Sequence, residues 1–322
     1  GVFDEGCLAP GLYISPDGNE FASGSVDDPF GSLQTAFERT SSGDTIYVLP
    51  GTYSGDFNQG FSTTNDLTIL GTGSVDETVF ELTGTKFFSI SGSPNFTVKN
   101  ITFTGNTGGN HVIFSSGSGS WNSDLSLDNC KFTDLQGRSV SIGSYQNGNI
   151  SNCVFAGNTS SPGYYGSSLN IGSYTEVDIS DCLFYNNLDV DNNSNHFGAI
   201  YASFAGYTLN IDGSTFYDNG GEGSVAIYDH QGTTNKYINI TNSIFYSDII
   251  DVLYANLDVS YSLVYDIAGE GNFYNDPLFC DVDSSDFTLY NNSPCAGTGE
   301  DGAHIGALGV GCGTYSGEIG DD

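Results

Sequence analysis

Carboxylates are the most numerous side chains in this sequence that could do chemistry. The 322 residues carry 39 Asp and Glu against 6 Lys and Arg, which gives a formal net charge of −33 at pH 7. Asp281, Asp283 and Asp286 lie close together, and carboxylate oxygens at such a spacing can bind a hard cation such as Ca²⁺. We carry these three forward as a candidate calcium site beside the alternative of solvated turn residues, and we expect no other cofactor.

Basic groups for acid–base catalysis are scarce. The basic residues are Arg39, Lys86, Lys99, Lys131, Arg138 and Lys236. No two of them form an evident constellation in the sequence. We expect His111, His196 and His230 in turns or on the surface, since none has a fixed partner. We therefore assign no catalytic residue.

The seven cysteines fall into two groups and one isolated residue. Three share one inward position of the repeat described below, where buried thiols or a bridge between coils would fit: Cys130, Cys153 and Cys182. Three lie near the C-terminus, where we expect one local disulfide: Cys280, Cys295 and Cys312. Cys7 lies at the opposite end and would meet those cysteines only in a neighbouring molecule stacked head to tail.

A repeat of short strands must position these groups. In stretches such as Leu125–Phe132, apolar and polar residues alternate on either side of an Asp-Asn step, which predicts two strands meeting at a bend. Successive repeats end 19 to 32 residues apart, a spacing typical of a solenoid. Six repeats end in a phenylalanine that we expect in a stacked core column: Phe103, Phe132, Phe155, Phe184, Phe216 and Phe245.

The bend itself is occupied by asparagine in four of the repeats. Asparagine tolerates the left-handed backbone that a sharp bend needs, and stacked side chains can hydrogen-bond from coil to coil. The predicted ladder consists of Asn100, Asn129, Asn152 and Asn242.

The repeat divides the chain into three parts. We expect an N-terminal lead-in and cap at 1–44, a parallel β-helix at 45–290, and a C-terminal cap with an acidic tail at 291–322. Within the first part, Ser32 is a candidate N-cap for a short helix that would cover the open end of the core.

Residues 12–53 carry a family resemblance. Tyr13–Gly18, Pro29-Phe30, Gly43–Ile46 and Pro50–Tyr53 occur in an order that resembles the start of many extracellular β-helix proteins. Together with the corner asparagines, the chain resembles the right-handed parallel β-helix of the pectin-lyase-like superfamily. The resemblance implies an all-β solenoid, and many such relatives cleave polysaccharides. The glycine-histidine-glycine and arginine-isoleucine-lysine motifs of its hydrolases are absent here.

Charge and composition restrict the partners and the compartment. Nucleic acid is excluded, because phosphate contacts need Lys and Arg, and no apolar run is long enough for membrane insertion. The chain has no Met, so we expect a processed chain, and its glycosylation sequons fit an extracellular or cell-surface protein. Candidate glycosylation sites are Asn149, Asn158, Asn192 and Asn239.

Two functions remain as hypotheses. The first is a non-catalytic structural element of a surface or matrix that self-associates head to tail into a fibre. The alternative is a carbohydrate-active enzyme, lyase or hydrolase, or a module that binds an extracellular glycan. In that case surface Tyr and Asn would stack on sugars and hydrogen-bond to them.

Overall fold

The computed structural model describes residues 11–92, 94–116, 123–160, 167–188, 197–202, 205–220, 224–229, 232 and 235–316. Over these residues the chain forms an all-β, right-handed parallel β-helix with very little helix. The strands of neighbouring coils pair in parallel and lie about 4.8 Å apart.

Strands make up most of the described residues. The first nine are β1 (Leu12–Ile14), β2 (Asp44–Val48), β3 (Gly51–Ser54), β4 (Phe61–Thr63), β5 (Leu67–Gly71), β6 (Thr78–Thr83), β7 (Phe88–Ser91), β8 (Phe96–Lys99) and β9 (Thr102–Ser116). The next nine are β10 (Asp124–Asp128), β11 (Lys131–Ile142), β12 (Asn147–Ser151), β13 (Val154–Ala156), β14 (Leu169–Ile171), β15 (Glu176–Ser180), β16 (Leu183–Tyr185), β17 (Phe197–Tyr201) and β18 (Thr208–Asp212). The last nine are β19 (Thr215–Tyr217), β20 (Ser224–Asp229), β21 (Tyr237–Thr241), β22 (Ile244–Tyr246), β23 (Asp248–Val252), β24 (Asn256–Ser260), β25 (Phe279–Asp281), β26 (Asp286–Tyr290) and β27 (Val310–Cys312). Helical segments are α1 (Leu33–Phe37) and four 3₁₀ turns at Asp56–Asn58, Val75–Glu77, Val282–Ser284 and Glu300–Gly302.

The strands form three faces. The first face is a ten-stranded sheet in the order β1-β2-β5-β8-β10-β12-β15-β18-β21-β24. The second face contains β3, β6, β13, β16, β19 and β22, and the third contains β4, β7, β14, β17, β20 and β23. Strands β9 and β11 run through both, because β11 pairs with β13 near its start and with β14 near its end.

The phenylalanine column fills the core behind the second face. Ring centroids along Phe103, Phe132, Phe155 and Phe184 are 5.2, 4.9 and 4.7 Å apart. The next two steps, to Phe216 and then Phe245, are 4.6 and 4.4 Å. All six side chains are buried. Parallel pairing in register therefore places each ring directly over its equivalent.

The corner between the first and second faces has the left-handed backbone that the sequence predicts. Its φ values lie between 47° and 55° at Asn100, Asn129, Asn152, Asp181, Gly213, Asn242 and Tyr261. The asparagine ladder predicted at this corner is only partly formed. Asn129 donates to Asn100 at 2.9 Å. Asn152 and Asn242 donate instead to aspartates of the preceding coil, Asp128 and Asp212, each at 3.1 Å, because those carboxylates stand beside the corner.

A second, buried ladder lies at the corner between the second and third faces. The Nδ2 group of Asn158 donates to Asn187 at 2.9 Å, and that of Asn187 donates to Asn219 at 2.7 Å. Asn219 donates from Nδ2 to the carboxylate of Asp248 at 2.7 Å. Each asparagine also donates to a core-strand carbonyl, as Asn187 does to Phe155 at 2.8 Å. This ladder satisfies backbone groups that the turn removes from the sheet.

The inward cysteines form a hydrogen-bonded column of free thiols. The backbone N–H of Cys130 donates to Sγ of Cys153, and that of Cys153 donates to Sγ of Cys182, both at 3.4 Å. Ser214 continues the column by accepting from the N–H of Cys182 at 3.2 Å. Burial raises the pKa of Cys130 and of Cys153 well above its usual range, so these thiols are unreactive.

The two ends of the solenoid differ. At the N-terminal end, Ser32 caps α1 by accepting from the N–H of Thr35, and Leu33 and Ala36 of that helix are buried. After the last coil, β25, β26 and β27 form a separate three-stranded sheet, the C-terminal sheet. A disulfide between Cys280 and Cys312 joins its outer strands.

Two further cysteines were predicted as disulfide candidates, Cys295 and Cys7. Cys295 is a buried free thiol that packs with Leu289 and Ile305. The one local disulfide expected among Cys280, Cys295 and Cys312 is therefore formed by the other two, and Cys295 is the cysteine that stays free. Cys7 lies outside the described residues, so its predicted bridge to a neighbouring molecule stays a prediction.

Candidate functional site

The candidate calcium ligands are engaged in local turns. Asp281 accepts from the N–H and the hydroxyl of Ser284 at 3.3 and 2.8 Å. Asp286 accepts from the N–H of Thr288 at 3.0 Å. The described residues contain no group of three His, Cys, Asp or Glu side chains arranged to hold a metal ion. The arrangement of Asp281, Asp283 and Asp286 therefore fits the alternative of turn residues better than a calcium site.

His111 and Arg138 are neighbours in the sheet, and the burial of His111 corrects the prediction that it lies in a turn or on the surface. They occupy equivalent positions in β9 and β11, so the fold pairs residues that the sequence left apart. His111 is only 6% exposed rather than lying in a surface turn. Burial, and secondarily the Arg138 guanidinium, lower the pKa of His111 to about 3, so its imidazole is neutral at physiological pH. Among the described residues, Nε2 of His111 has no hydrogen-bond partner.

Lys236 is a core residue. Its Nζ atom lies 2.6 Å from the carboxylate of Asp229, and both side chains are fully buried. The Lys236 ammonium also lies 5.5 Å from the centre of the Tyr207 ring. A buried lysine with its charge paired in this way contributes to the core and is not exposed to a polysaccharide.

The candidate glycosylation sites separate by exposure. Asn149 and Asn239 point outward from the first face and are exposed. Asn158 is fully buried, and Nδ2 donates to Phe132 and to Asn187, both at 2.9 Å. The prediction of glycosylation at Asn158 was therefore wrong, because the amide nitrogen that would carry a glycan belongs to the buried ladder. Asn192 lies outside the described residues.

A column of tyrosines runs along the outer surface of the second face. Tyr185 pairs in register with Tyr217, and Tyr217 pairs with Tyr246. The rings of Tyr217 and Tyr246 stack with centroids 6.2 Å apart and planes 16° apart. Tyr274 continues the stack at 6.0 Å from Tyr246, and Tyr265 meets Tyr274 edge-on at 5.2 Å. Local alternation causes this arrangement, since a residue next to an inward phenylalanine points outward.

The end of this column near Tyr274 borders an open pocket of about 390 Å³, which we call the tyrosine groove. Its lining consists of Tyr217, Asp218, Ser247, Asp248, Ile249, Tyr265 and Tyr274. Tyr265 is 61% exposed and Tyr274 is 44% exposed. The groove therefore offers aromatic faces and polar groups to the solvent together.

Carboxylates lie close enough to the tyrosine groove to act on its phenols. Burial, followed by the carboxylates of Asp218, Asp283 and Asp276, raises the pKa of Tyr217. The pKa of Tyr246 is raised in the same way, by burial and then by Asp276. The two phenols stay protonated and can donate hydrogen bonds, while the carboxylates can accept them.

The C-terminal sheet covers the end of the tyrosine column near Tyr185. Phe287 lies 4.8 Å from the ring of Tyr185 and 5.2 Å from that of Tyr217. Phe279 meets Tyr217 edge-on at 6.0 Å. The sheet therefore lies along the outside of the second face, and the groove begins where it ends.

The tyrosine groove was not predicted from the sequence, although the sequence contains a signal for its tyrosine column. Three of the core phenylalanines are followed directly by tyrosine, in the pairs Phe184-Tyr185, Phe216-Tyr217 and Phe245-Tyr246. Tyr265 and Tyr274 belong to the irregular last coil, where no periodicity predicts their position.

Comparison with known proteins establishes the fold. No family model matches the chain. The pectate lyase PEL9 of Emericella nidulans is 46% identical over 46 residues, which are 14% of this chain and 11% of that protein. The structure of pectate lyase Pel9A has a TM-score of 0.50 at 15% identity, covering 94% of this chain and 97% of that chain. Pectin methylesterase PemA from Erwinia chrysanthemi has a TM-score of 0.52 at 12% identity, covering 84% and 92%.

These neighbours are carbohydrate-active enzymes, and the chain shares their pectin lyase-like parallel β-helix fold. At such low identity the likeness concerns the fold, and function has to be argued from the site itself. Within the part of the chain that the structure describes, no helix is long and apolar enough to cross a membrane.

Proposed function

We propose that this protein is an extracellular parallel β-helix that binds a neutral glycan in the tyrosine groove. The observation that carries the proposal is the tyrosine stack, whose exposed end lines a pocket together with the half-buried carboxylate of Asp218. Aromatic faces pack against the apolar faces of sugar rings, and carboxylates accept hydrogen bonds from sugar hydroxyls. The carbohydrate-active neighbours support this alternative over a purely structural role.

The charge of the groove favours a neutral ligand. After burial, three carboxylates raise the pKa of Tyr217, and the whole chain has a formal charge of −33. A polyanionic glycan would be repelled by this field, whereas a neutral one brings hydroxyl donors to the carboxylates. The lining residues include no Lys, Arg or His that would neutralise a uronate.

The extracellular location is part of the proposal. The Cys280–Cys312 disulfide supports it, because such bonds persist in oxidising compartments. Head-to-tail self-association stays a further prediction, since Cys7 and the acidic tail from residue 317 onward lie outside the described residues.

A glycan microarray tests the proposed function. Labelled protein should bind a subset of neutral polysaccharides, and the double variant Tyr265→Ala/Tyr274→Ala should lose at least tenfold in signal. Tyr237→Ala removes a tyrosine of similar exposure, 46%, from the first face and should bind like the wild type. Equal binding by all three proteins, or binding to polyanionic glycans alone, would contradict the proposal.

One observation favours a second candidate function, lyase activity on an anionic glycan. His111 is a neutral imidazole beside the Arg138 guanidinium, and this pair resembles a base next to a group that neutralises a carboxylate. The burial of His111 opposes it, and so does its pKa of about 3, which makes the imidazole a weak base at neutral pH. We expect no release of unsaturated ends from pectate, alginate or chondroitin. Turnover that Arg138→Gln abolishes would favour the lyase over the binding protein.

A further inference from the structure

The tyrosine groove is closed at one end. Along the solenoid axis the column runs from Tyr185 through Tyr217 and Tyr246 to Tyr274. Phe287 packs on the first two of these rings, Tyr246 packs partly against the apolar cluster that contains Leu289 and Ile305, and Tyr274 is 44% exposed. A ligand that follows the column from Tyr274 therefore meets the C-terminal sheet at Tyr217.

The wall that closes the groove is a firmly held part of the fold. Phe287 is 2% exposed, and the disulfide between Cys280 and Cys312 joins the strands on either side of it. The segment that leads into β27 is tied to the second face, where Gly306 donates to the carbonyl of Asn242 at 2.7 Å. Apolar packing of Ile305 and Leu289 adds to these contacts. Such a wall stays in place when a ligand binds.

The size of the groove agrees with a short occupant. Its volume of about 390 Å³ lies near the lower end of the ~300–1,000 Å³ typical of small-molecule pockets. An internal segment of a polysaccharide would need an open path in both directions, which the packing of Phe287 on Tyr217 prevents.

We propose, resting on the function proposed above, that the tyrosine groove recognises the end of a neutral glycan chain rather than an internal segment. The terminal sugar lies against Tyr217, on which Phe287 and Phe279 hold the C-terminal sheet that ends the groove. The following units pass over Tyr274 and Tyr265 toward the open end. Phe287 is therefore a specificity-determining residue, although it lies outside the groove lining.

Oligosaccharides with defined ends test this proposal on the intact protein. The probes are neutral glucan, mannan, galactan and xylan hexasaccharides, each immobilised in three forms: with only the non-reducing end free, with only the reducing end free, or with both ends blocked. We expect one free-end form to bind and the form with both ends blocked to bind at least tenfold more weakly. Equal binding by blocked and free chains would overturn end recognition while leaving glycan binding intact. No binding to any form would overturn both proposals.

A variant of the wall adds an independent readout. Phe287→Ala should extend the groove toward Tyr185, so that blocked chains gain binding relative to free-end chains. Phe279→Ala serves as a second opening of the wall, and circular dichroism with a thiol count verifies that each variant keeps its fold and its disulfide. A correctly folded variant that still rejects blocked chains as the wild type does would contradict the role of the wall.

Discussion

The Nδ2 group of Asn187 donates a hydrogen bond of 2.7 Å to Oδ1 of Asn219, one coil further along the solenoid. Both side chains are fully buried. Asn219 in turn donates to the carboxylate of Asp248, which ends this buried ladder, and Asp248 is also one of the residues around the tyrosine groove. The ladder thus connects the core packing of the β-helix to the position of its candidate site.

The buried ladder should contribute more to stability than an exposed asparagine pair on the first face. Asn187→Ala removes the side-chain donor to the Phe155 carbonyl and the side-chain acceptor of the Asn158 amide, so we expect a loss of at least ~2 kcal/mol in the free energy of unfolding. Asn239→Ala removes an exposed amide that donates to Asn210, and it should cost less than ~0.5 kcal/mol. Denaturant unfolding of both variants measures the difference. Equal costs would contradict the assignment of the ladder.

The phenylalanine column should be equally sensitive. Phe184→Ala removes a fully buried ring that stacks on both neighbours, at 4.7 and 4.6 Å, and should destabilise the protein by ~3–5 kcal/mol. Phe57→Ala, at a position that is 64% exposed, is the matched control and should have little effect. Thermal or denaturant unfolding that places the two variants together would show that the column is not a stabilising core.

The column and the corner were predictable from sequence because each repeat obeys the same local rule. Alternation fixes which side chains point inward, and the bend requires a residue that tolerates positive φ, as at Asn129 and Asn152. The buried ladder was missed because its residues follow the predicted strand segments. It has a signal nonetheless, since an asparagine comes three residues after Phe155, Phe184 and Phe216.

The site depends on contacts that no repeat encodes. Tyr265 and Tyr274 come from the last, irregular coil, and Phe287 reaches the tyrosine column because the C-terminal sheet folds back along the second face. Pairing of His111 with Arg138 likewise depends on the register between two long strands that turn a corner. Non-local placements of this kind do not follow from periodicity.

Stability should depend on pH through His111. Its pKa falls from the ordinary 6.5 to about 3 in the folded protein, so between these values the unfolded chain binds a proton that the folded protein does not. This group therefore costs stability as the pH falls below 6.5. From pH 7 to pH 5 the wild type should lose about 2 kcal/mol more than His111→Gln.

Denaturant unfolding at the two pH values measures this difference. His304→Gln replaces an exposed histidine and should follow the wild type. An identical pH dependence in wild type and His111→Gln would show that the histidine is not held neutral by burial.

Self-association should depend on the chain ends. The two ends present different surfaces, so a contact between them would repeat without closing and produce a filament. Deleting residues 1–11 or 313–322 should weaken association while the β-helix stays folded, and Cys7→Ser tests the covalent link alone. Light scattering with and without calcium and reductant measures the size of the particles. Intact protein that stays monomeric under all these conditions would contradict the fibre hypothesis.

Calorimetric titration of a neutral oligosaccharide, chosen from the microarray, into wild type, Tyr274→Ala and Tyr237→Ala tests the central claim most directly. The account predicts saturable binding to the wild type and to Tyr237→Ala, with affinity at least tenfold lower for Tyr274→Ala. A stacking contact of ~1.4 kcal/mol corresponds to that factor. Unchanged affinity in Tyr274→Ala, with the loss appearing in Tyr237→Ala instead, would contradict a glycan site in the tyrosine groove.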